Sequence, residues 1–248
     1  MRVLVLGGTT EARELAGLLA TDGRFDATLS LAGRTRTPAA QPLPTRVGGF
    51  GGAEGLAAYL RDQGFQAVID ATHPFAAQIS RNAEVACAQA GVPLAVLTRQ
   101  PWTPEEGDDW LMVPNIDEAA TAVACLPYAV FLTVGRQELE PFLEMSHRFL
   151  VRAVDPPDAL PENTDLILDR GPYTVEAETR LMRQHGTGIL ITKNSGGTAT
   201  AAKLAAARAL GVQVIMVERP PAGSAPRFYA ASDVMAWLAA HAPSAAGM

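Results

Sequence analysis

Only two cysteines and two lysines occur in the 248 residues, and no apolar run reaches the ~18 residues that a membrane span requires. Each scarcity excludes something. Cys87 and Cys125 are too few for a disulfide framework and lack the paired spacing of a zinc site. They read as small buried side chains in a reducing cytoplasm, which is the expected location. No basic segment leads into an apolar one near the start, so neither a signal peptide nor a membrane partner is expected. A net charge of −6 argues against nucleic acid. Several signatures are missing as well. There is no G-x-x-x-x-G-K-[ST] for nucleoside triphosphates and no H-x-x-x-H for a metal, so no metal site is expected. None of Tyr59, Tyr128, Tyr173 or Tyr229 has Lys four residues on, which removes the Tyr-x-x-x-Lys of short-chain reductases. With Lys193 and Lys203 the only lysines, the basic residues are otherwise all Arg. High-GC coding explains most of that bias; planar carboxylate or phosphate recognition would also favour it.

What is present is one unit repeated along the chain. Strands are expected at Arg2–Leu6, Ala27–Leu31, Thr45–Val47, Ala67–Asp70 and Pro93–Thr98. Helices are expected at Thr10–Ala20, from the Gly48–Gly52 run to Gln63, and at Phe75–Ala90. The stretch "RQPWTPEEGDDW" packs two prolines, four acids and two tryptophans together and reads as a linker at about 99–110. The alternation then resumes. Strands are expected at Ala129–Val134, Phe149–Ala153, Leu166–Leu168, Gly188–Thr192 and Val212–Val217. Helices are expected at Ile116–Cys125, Val175–Gln184, Thr198–Leu210 and about Ser232–His241. Apolar strands alternating with longer helices indicate an α/β chain with parallel sheets. The expected architecture is two tandem, doubly wound, Rossmann-like domains over residues 1–100 and 110–248, with the last helix packing on either.

Ligands of such sheets bind at the carboxyl ends of the strands. The first end reads "LGGTTEAR", a variant of G-x-G-x-x-G in which Thr9 takes the second glycine's place and Ala12 the third's. Gly7 would permit the tight turn and Gly8 would let backbone approach a phosphate. Thr9 and Thr10 would cap the helix and add hydroxyls, with Arg13 one turn on. A plain strand–helix turn is the competing reading. The second strand ends "LSLAGRTR", without the acid that binds a ribose diol. Ser30, Gly33, Arg34, Thr35 and Arg36 suit a 2′-phosphate, so NADPH is favoured over NADH. One charge-assisted hydrogen bond of about 1.5–3 kcal/mol would give a preference of roughly 10- to 150-fold. At the next end, "IDATHPFAAQIS", Thr72 is a candidate cap and His73 is held extended by Pro74. His73 is a candidate for cofactor contact or proton donation, against the plainer role of a surface-loop residue.

In the second half each strand end carries a basic residue: Arg136, Arg152, Arg170 and Lys193. Asn194-Ser195-Gly196-Gly197 reads as an anion-binding turn opening a helix. A lone basic loop residue is usually solvated. Four at corresponding ends of one parallel sheet converge, and they suit a polyanion. Arg219 and Arg227 lie in "ERPPAGSAPRFYAA", Glu218–Ala231, a segment rich in proline and small residues that reads as a candidate lid; an ordered connector is the alternative.

Six segments, "VLGGTTEARELA", "GGFGG", "DATHPFAAQIS", "LTRQPW", "FLTVGRQEL" and "ITKNSGGTATAAKLAAARALGVQVIMVERP", resemble the precorrin-6A reductase family of cobalamin biosynthesis, in order and over nearly the whole chain. The resemblance implies NADPH-dependent reduction of one macrocycle C=C bond, precorrin-6A to precorrin-6B. It also implies a product handed to the next pathway enzyme. The cobalt-bearing substrate of the anaerobic route is an open alternative. A tetrapyrrole with many carboxylates explains the basic strand ends. Hydride addition needs a proton at the neighbouring carbon, for which His73, Asp155 and Tyr173 are candidate donors. A non-catalytic NADP sensor and a transferase with a phosphorylated donor remain as other classes.

Overall fold

The computed structural model describes residues 1–33 and 40–242. In chain order the first elements are β1 (Arg2–Leu6), α1 (Thr10–Thr21), β2 (Asp26–Leu31), β3 (Thr45–Val47), α2 (Gly52–Asp62), β4 (Ala67–Asp70), α3 (Ala77–Ala90) and β5 (Leu94–Leu97). Then come β6 (Trp110–Val113), α4 (Ile116–Val123), β7 (Ala129–Leu132), two short 3-10 turns at Arg136–Glu138 and Glu140–Phe142, β8 (Phe149–Ala153) and β9 (Thr164–Leu168). The chain ends with α5 (Val175–His185), β10 (Thr187–Lys193), α6 (Ala202–Leu210), β11 (Gln213–Val217), β12 (Arg227–Phe228) and α7 (Ala231–His241). Two compact units result, Met1–Gln100 with the segment from Pro220 onward, and Pro101–Arg219. Each holds a six-stranded sheet, ordered β12-β5-β4-β1-β2-β3 in the first and β6-β11-β10-β7-β8-β9 in the second. All pairings are parallel. The expected α/β class, two tandem Rossmann-like folds, is what the chain adopts.

Parallel sheets need cover on both faces, and β1 shows how the sequence supplies it. Val3 and Val5 point into a core shared with Leu15, Leu19, Val234 and Leu238 of α1 and α7. Leu4 and Leu6 point the other way, onto Leu56 and Leu60 of α2 and Ala83, Ala86 and Cys87 of α3. The α1 stripe Ala12, Leu15, Ala16, Leu19 is buried at helical spacing. In the second unit Phe131, Leu150, Leu190 and Val214 pack on Met182 of α5 and Leu204, Ala206 and Ala207 of α6. Burial pushes the Cys87 thiol up to about 12, which fits an inert core cysteine.

Four local expectations change, and the first is Cys125, which was read as buried and is exposed. Trp110, read as the end of the linker, begins β6, an edge strand paired with β11. The helix expected from Thr198 starts at Ala202, so the Asn194–Gly197 turn does not open it directly. The candidate lid contributes β12, which pairs with β5 through Val96 N–H to Pro226 O and Thr98 N–H to Phe228 O, each 2.9 Å. Phe228 then packs on Trp237 of α7, with ring centroids 6.4 Å apart. The last helix, left open to either domain, thus lies in the first unit, and so does Arg227.

Candidate functional site

Both sheets reverse their strand order once, and the strand ends flanking that reversal are where doubly wound folds place ligands. In the first unit the reversal falls between β1 and β4. Thr9 caps α1 by accepting from Ala12 N–H at 3.1 Å, and its hydroxyl donates to Ala71 O at 2.8 Å, tying the turn after β1 to the end of β4. The turn expected of Gly7 falls to Gly8. Gly8 makes the turn, at φ 127°, and a side chain there would meet nothing within 4 Å. Gly7 serves packing: a Cβ would sit 2.6 Å from Leu29 Cδ1 and 3.2 Å from Ala12 Cβ. Thr10 begins the helix and Arg13 is exposed on it.

Past β4, Asp70 is 3% exposed and accepts from Thr72 N–H (3.0 Å), Thr72 Oγ1 (2.6 Å) and Ser80 Oγ (2.5 Å). Thr72 therefore braces the loop rather than capping α3, whose cap position is Ala76. His73 Nδ1 accepts from Phe75 N–H at 3.3 Å, which leaves the proton of the neutral ring on Nε2. Asp70 organises this loop; the sequence marked it only as the end of a strand.

At the end of β2, Ser30 is 5% exposed, and its oxygen accepts from Arg46 Nη1 at 2.8 Å. Gly33 turns the chain at φ 75°. Arg34, Thr35 and Arg36 lie outside the described residues. Arg46 was not anticipated, although its place on β3 opposite Ser30 is the signal that would have found it.

In the second unit the reversal lies between β7 and β10. There Glu138 accepts from Gly135 N–H at 2.7 Å and from Lys193 Nζ at 2.6 Å. Along the same carboxyl edge stand Arg219 after β11, Lys193 on β10, Arg136 after β7, Arg152 on β8 and Arg170 after β9. The topology brings these five together, but their charges are not equally available. Arg152 is buried and bidentate with Glu178, at 2.5 and 2.8 Å, beneath the Tyr173 ring. Arg219 Nε and Nη2 donate to Asn194 O and Ser195 O at 2.8 and 3.0 Å. The Asn194 side chain accepts from Trp102 N–H (2.8 Å) and donates to Trp102 O (3.0 Å), and Trp102 Nε1 donates to Gly197 O (2.8 Å). Asn194, Gly197 and the carbonyl of Ser195 are thus engaged in holding the turn that contains Gly196. Arg136 and Arg170 are exposed and make no ion pair among the described residues.

Two further candidates lie on this edge. Asp155 is two residues past β8 and half-buried. Tyr173 donates its hydroxyl to Asp169 O at 3.2 Å, and burial pushes its phenol above the ordinary range, so it holds its proton. Among the described residues no His, Cys, Asp and Glu group could hold a metal ion, and no helix is long and apolar enough to cross a membrane.

A family model described as Precorrin-6x reductase CbiJ/CobK matches residues 2–239. The chain is 48% identical over 251 residues to a Precorrin-6A reductase of Rhodobacter capsulatus, covering 100% of this chain and 99% of that one. It is 50% identical over 222 residues to a Precorrin-6A reductase of Rhodococcus erythropolis, covering 89% and 90%. A solved structure of CobK precorrin-6A reductase matches with a TM-score of 0.90 at 47% identity, covering 100% of this chain and 99% of that one.

Proposed function

The chain belongs to the Precorrin-6x reductase CbiJ/CobK family, and from that premise we propose that it reduces one C=C bond of precorrin-6A, giving precorrin-6B, with NADPH as reductant. The whole-length likeness to Precorrin-6A reductases carries this reading. It is a cytoplasmic reaction whose product passes to the next biosynthetic enzyme. NADPH supplies the hydride, and one proton from an acid or a positioned water completes the addition.

The first unit fits a dinucleotide. The open space at Gly8 lets a pyrophosphate approach the backbone, and the leading N–H groups of α1, beside Thr9 and Thr10, have no intrahelical partner. Ser30 and Gly33, with Arg34 and Thr35 following, serve the adenosine end. The loop braced by Asp70 carries Thr72 and His73 toward the reacting end, and His73, Asp155 and Tyr173 are the candidate proton sources. Arg136 and Arg170, with the Lys193–Glu138 pair beside them, hold substrate carboxylates.

The test is incubation with NADPH and precorrin-6A while the nicotinamide and macrocycle absorbances are followed together. Equal consumption of both is expected. Cofactor binding without turnover would make the chain a sensor, and no change with NADPH would favour a transferase. Faster turnover of the cobalt-bearing substrate would move the chain to the anaerobic route.

Gly7 and Gly8 provide a paired check. Gly7→Val overpacks the Leu29 contact and should lower stability by about 1–3 kcal/mol. Gly8→Val strains the turn by a similar amount, about 1–3 kcal/mol, but it also fills the pyrophosphate's path. On folded protein, verified by circular dichroism, it should raise the NADPH dissociation constant by about tenfold or more. Wild-type affinity in Gly8→Val would put the dinucleotide elsewhere, over the Thr72–His73 loop.

A further inference from the structure

We infer that Arg46 reads the 2′-phosphate of the cofactor and sets the preference for NADPH over NADH. The inference rests on the cofactor reading above and adds a residue to it. Register places the side chain: β3 pairs with β2 in parallel, with Arg46 opposite Ser30. Arg46 therefore stands beside the strand end where doubly wound folds bind the adenosine ribose. In sites that accept NAD an acid stands at this strand end; here Ser30, Leu31, Ala32 and Gly33 supply none.

The guanidinium is held still. Nη1 donates to Ser30 Oγ at 2.8 Å and to Gly48 O at 2.9 Å, and Nη2 donates to Gly49 O at 3.0 Å. Its carbon lies 3.9 Å from the centroid of the Phe50 ring and 5.2 Å from that of Tyr59. All these partners are neutral. Arg46 makes no ion pair with a carboxylate among the described residues, so its positive charge is uncompensated. Three of its five N–H donors are used, leaving one on Nε and one on Nη2. That pair suits two oxygens of a phosphate, and the ordering cost of the side chain has already been met by the fold. The Ser30 oxygen accepts from Arg46, so its own hydroxyl proton remains to be donated to the same anion. Side chains at Gly48 or Gly49 would meet nothing within 4 Å, so space is open next to the carbonyls that Arg46 holds.

The competing account is a strut that only shapes the Gly48–Gly52 loop. The two roles separate by ratio, because loop damage weakens both cofactors alike and loss of a 2′-phosphate contact weakens NADPH alone. Dissociation constants of NADPH, NADH and adenosine 2′,5′-bisphosphate are to be measured by titration on the full chain. The proteins are wild type, Arg46→Met, which retains an unbranched chain over Phe50, and Arg46→Lys. Wild type should prefer NADPH. Arg46→Met should lose roughly 10- to 150-fold of that preference, the worth of one charge-assisted contact, and should lose the bisphosphate in proportion. Arg46→Lys, with charge but no fork, should fall between. A wild type that prefers NADPH while Arg46→Met keeps the full preference overturns the assignment and leaves the cofactor reading intact. A wild type indifferent to the 2′-phosphate overturns the cofactor reading, and the assignment with it.

Discussion

Arg152→Ala should destabilise the second unit by about 3–5 kcal/mol, a large part of the stability of a domain this size. On position alone Arg152 belongs with the basic strand ends, and loss of substrate would be its expected phenotype. Its surroundings argue otherwise. The Arg152 and Glu178 side chains are 6% and 2% exposed and meet through two hydrogen bonds. The Tyr173 ring lies 3.8 Å from the guanidinium and Phe131 5.0 Å. Removing the cation leaves a carboxylate sealed from water with nothing to neutralise it, which costs far more than the pair contributes. Replacing both partners together, Arg152→Met with Glu178→Met, should therefore recover most of the loss. Urea unfolding of the three proteins reads this directly. Wild-type stability in Arg152→Ala, with weakened tetrapyrrole binding, would return Arg152 to the substrate.

That reversal shows where the sequence is legible. β1, β4 and β8 match their expected bounds because their apolar runs are bounded by turn residues, and burial on both faces leaves no ambiguity of period. β6 and β12 were missed for opposite reasons. Trp110–Val113 follows directly on acids that read as linker, and Arg227–Phe228 is too short to have a period; only pairing with β11 and β5 makes them strands. The row of basic strand ends was legible, but their partners were not. Glu178 reads as an ordinary first-turn acid of α5, and Glu138 as part of a loop. Yet one neutralises Arg152 across 26 residues and the other engages Lys193 across 55. Sequence shows which charges reach an edge. Packing decides which remain available there.

Arg136 and Arg170 are the exposed arginines of this edge, with no carboxylate partner among the described residues, and replacing both with alanine should weaken tetrapyrrole binding most among changes that spare the fold. They follow β7 and β9, which flank β8, so their strand ends stand roughly 10 Å apart, two strand spacings. One flat polyanion could engage both. Each charge-assisted contact is worth about 1.5–3 kcal/mol, or roughly 10- to 150-fold in affinity. At that separation the losses should nearly add, giving about 100-fold or more for the double variant. Both side chains are exposed, so unfolding should shift by no more than about 0.5 kcal/mol and NADPH affinity should hold. Salt supplies a second readout: wild-type affinity should fall as ionic strength rises, and the double variant should respond less. Lys193→Ala belongs in the series as a contrast. It removes a cation and also exposes Glu138 as a bare negative charge at the same edge, so it should cost more than either single arginine. Tetrapyrrole affinity unchanged in the double variant, at low salt and high, would end the carboxylate-cradle reading of this edge.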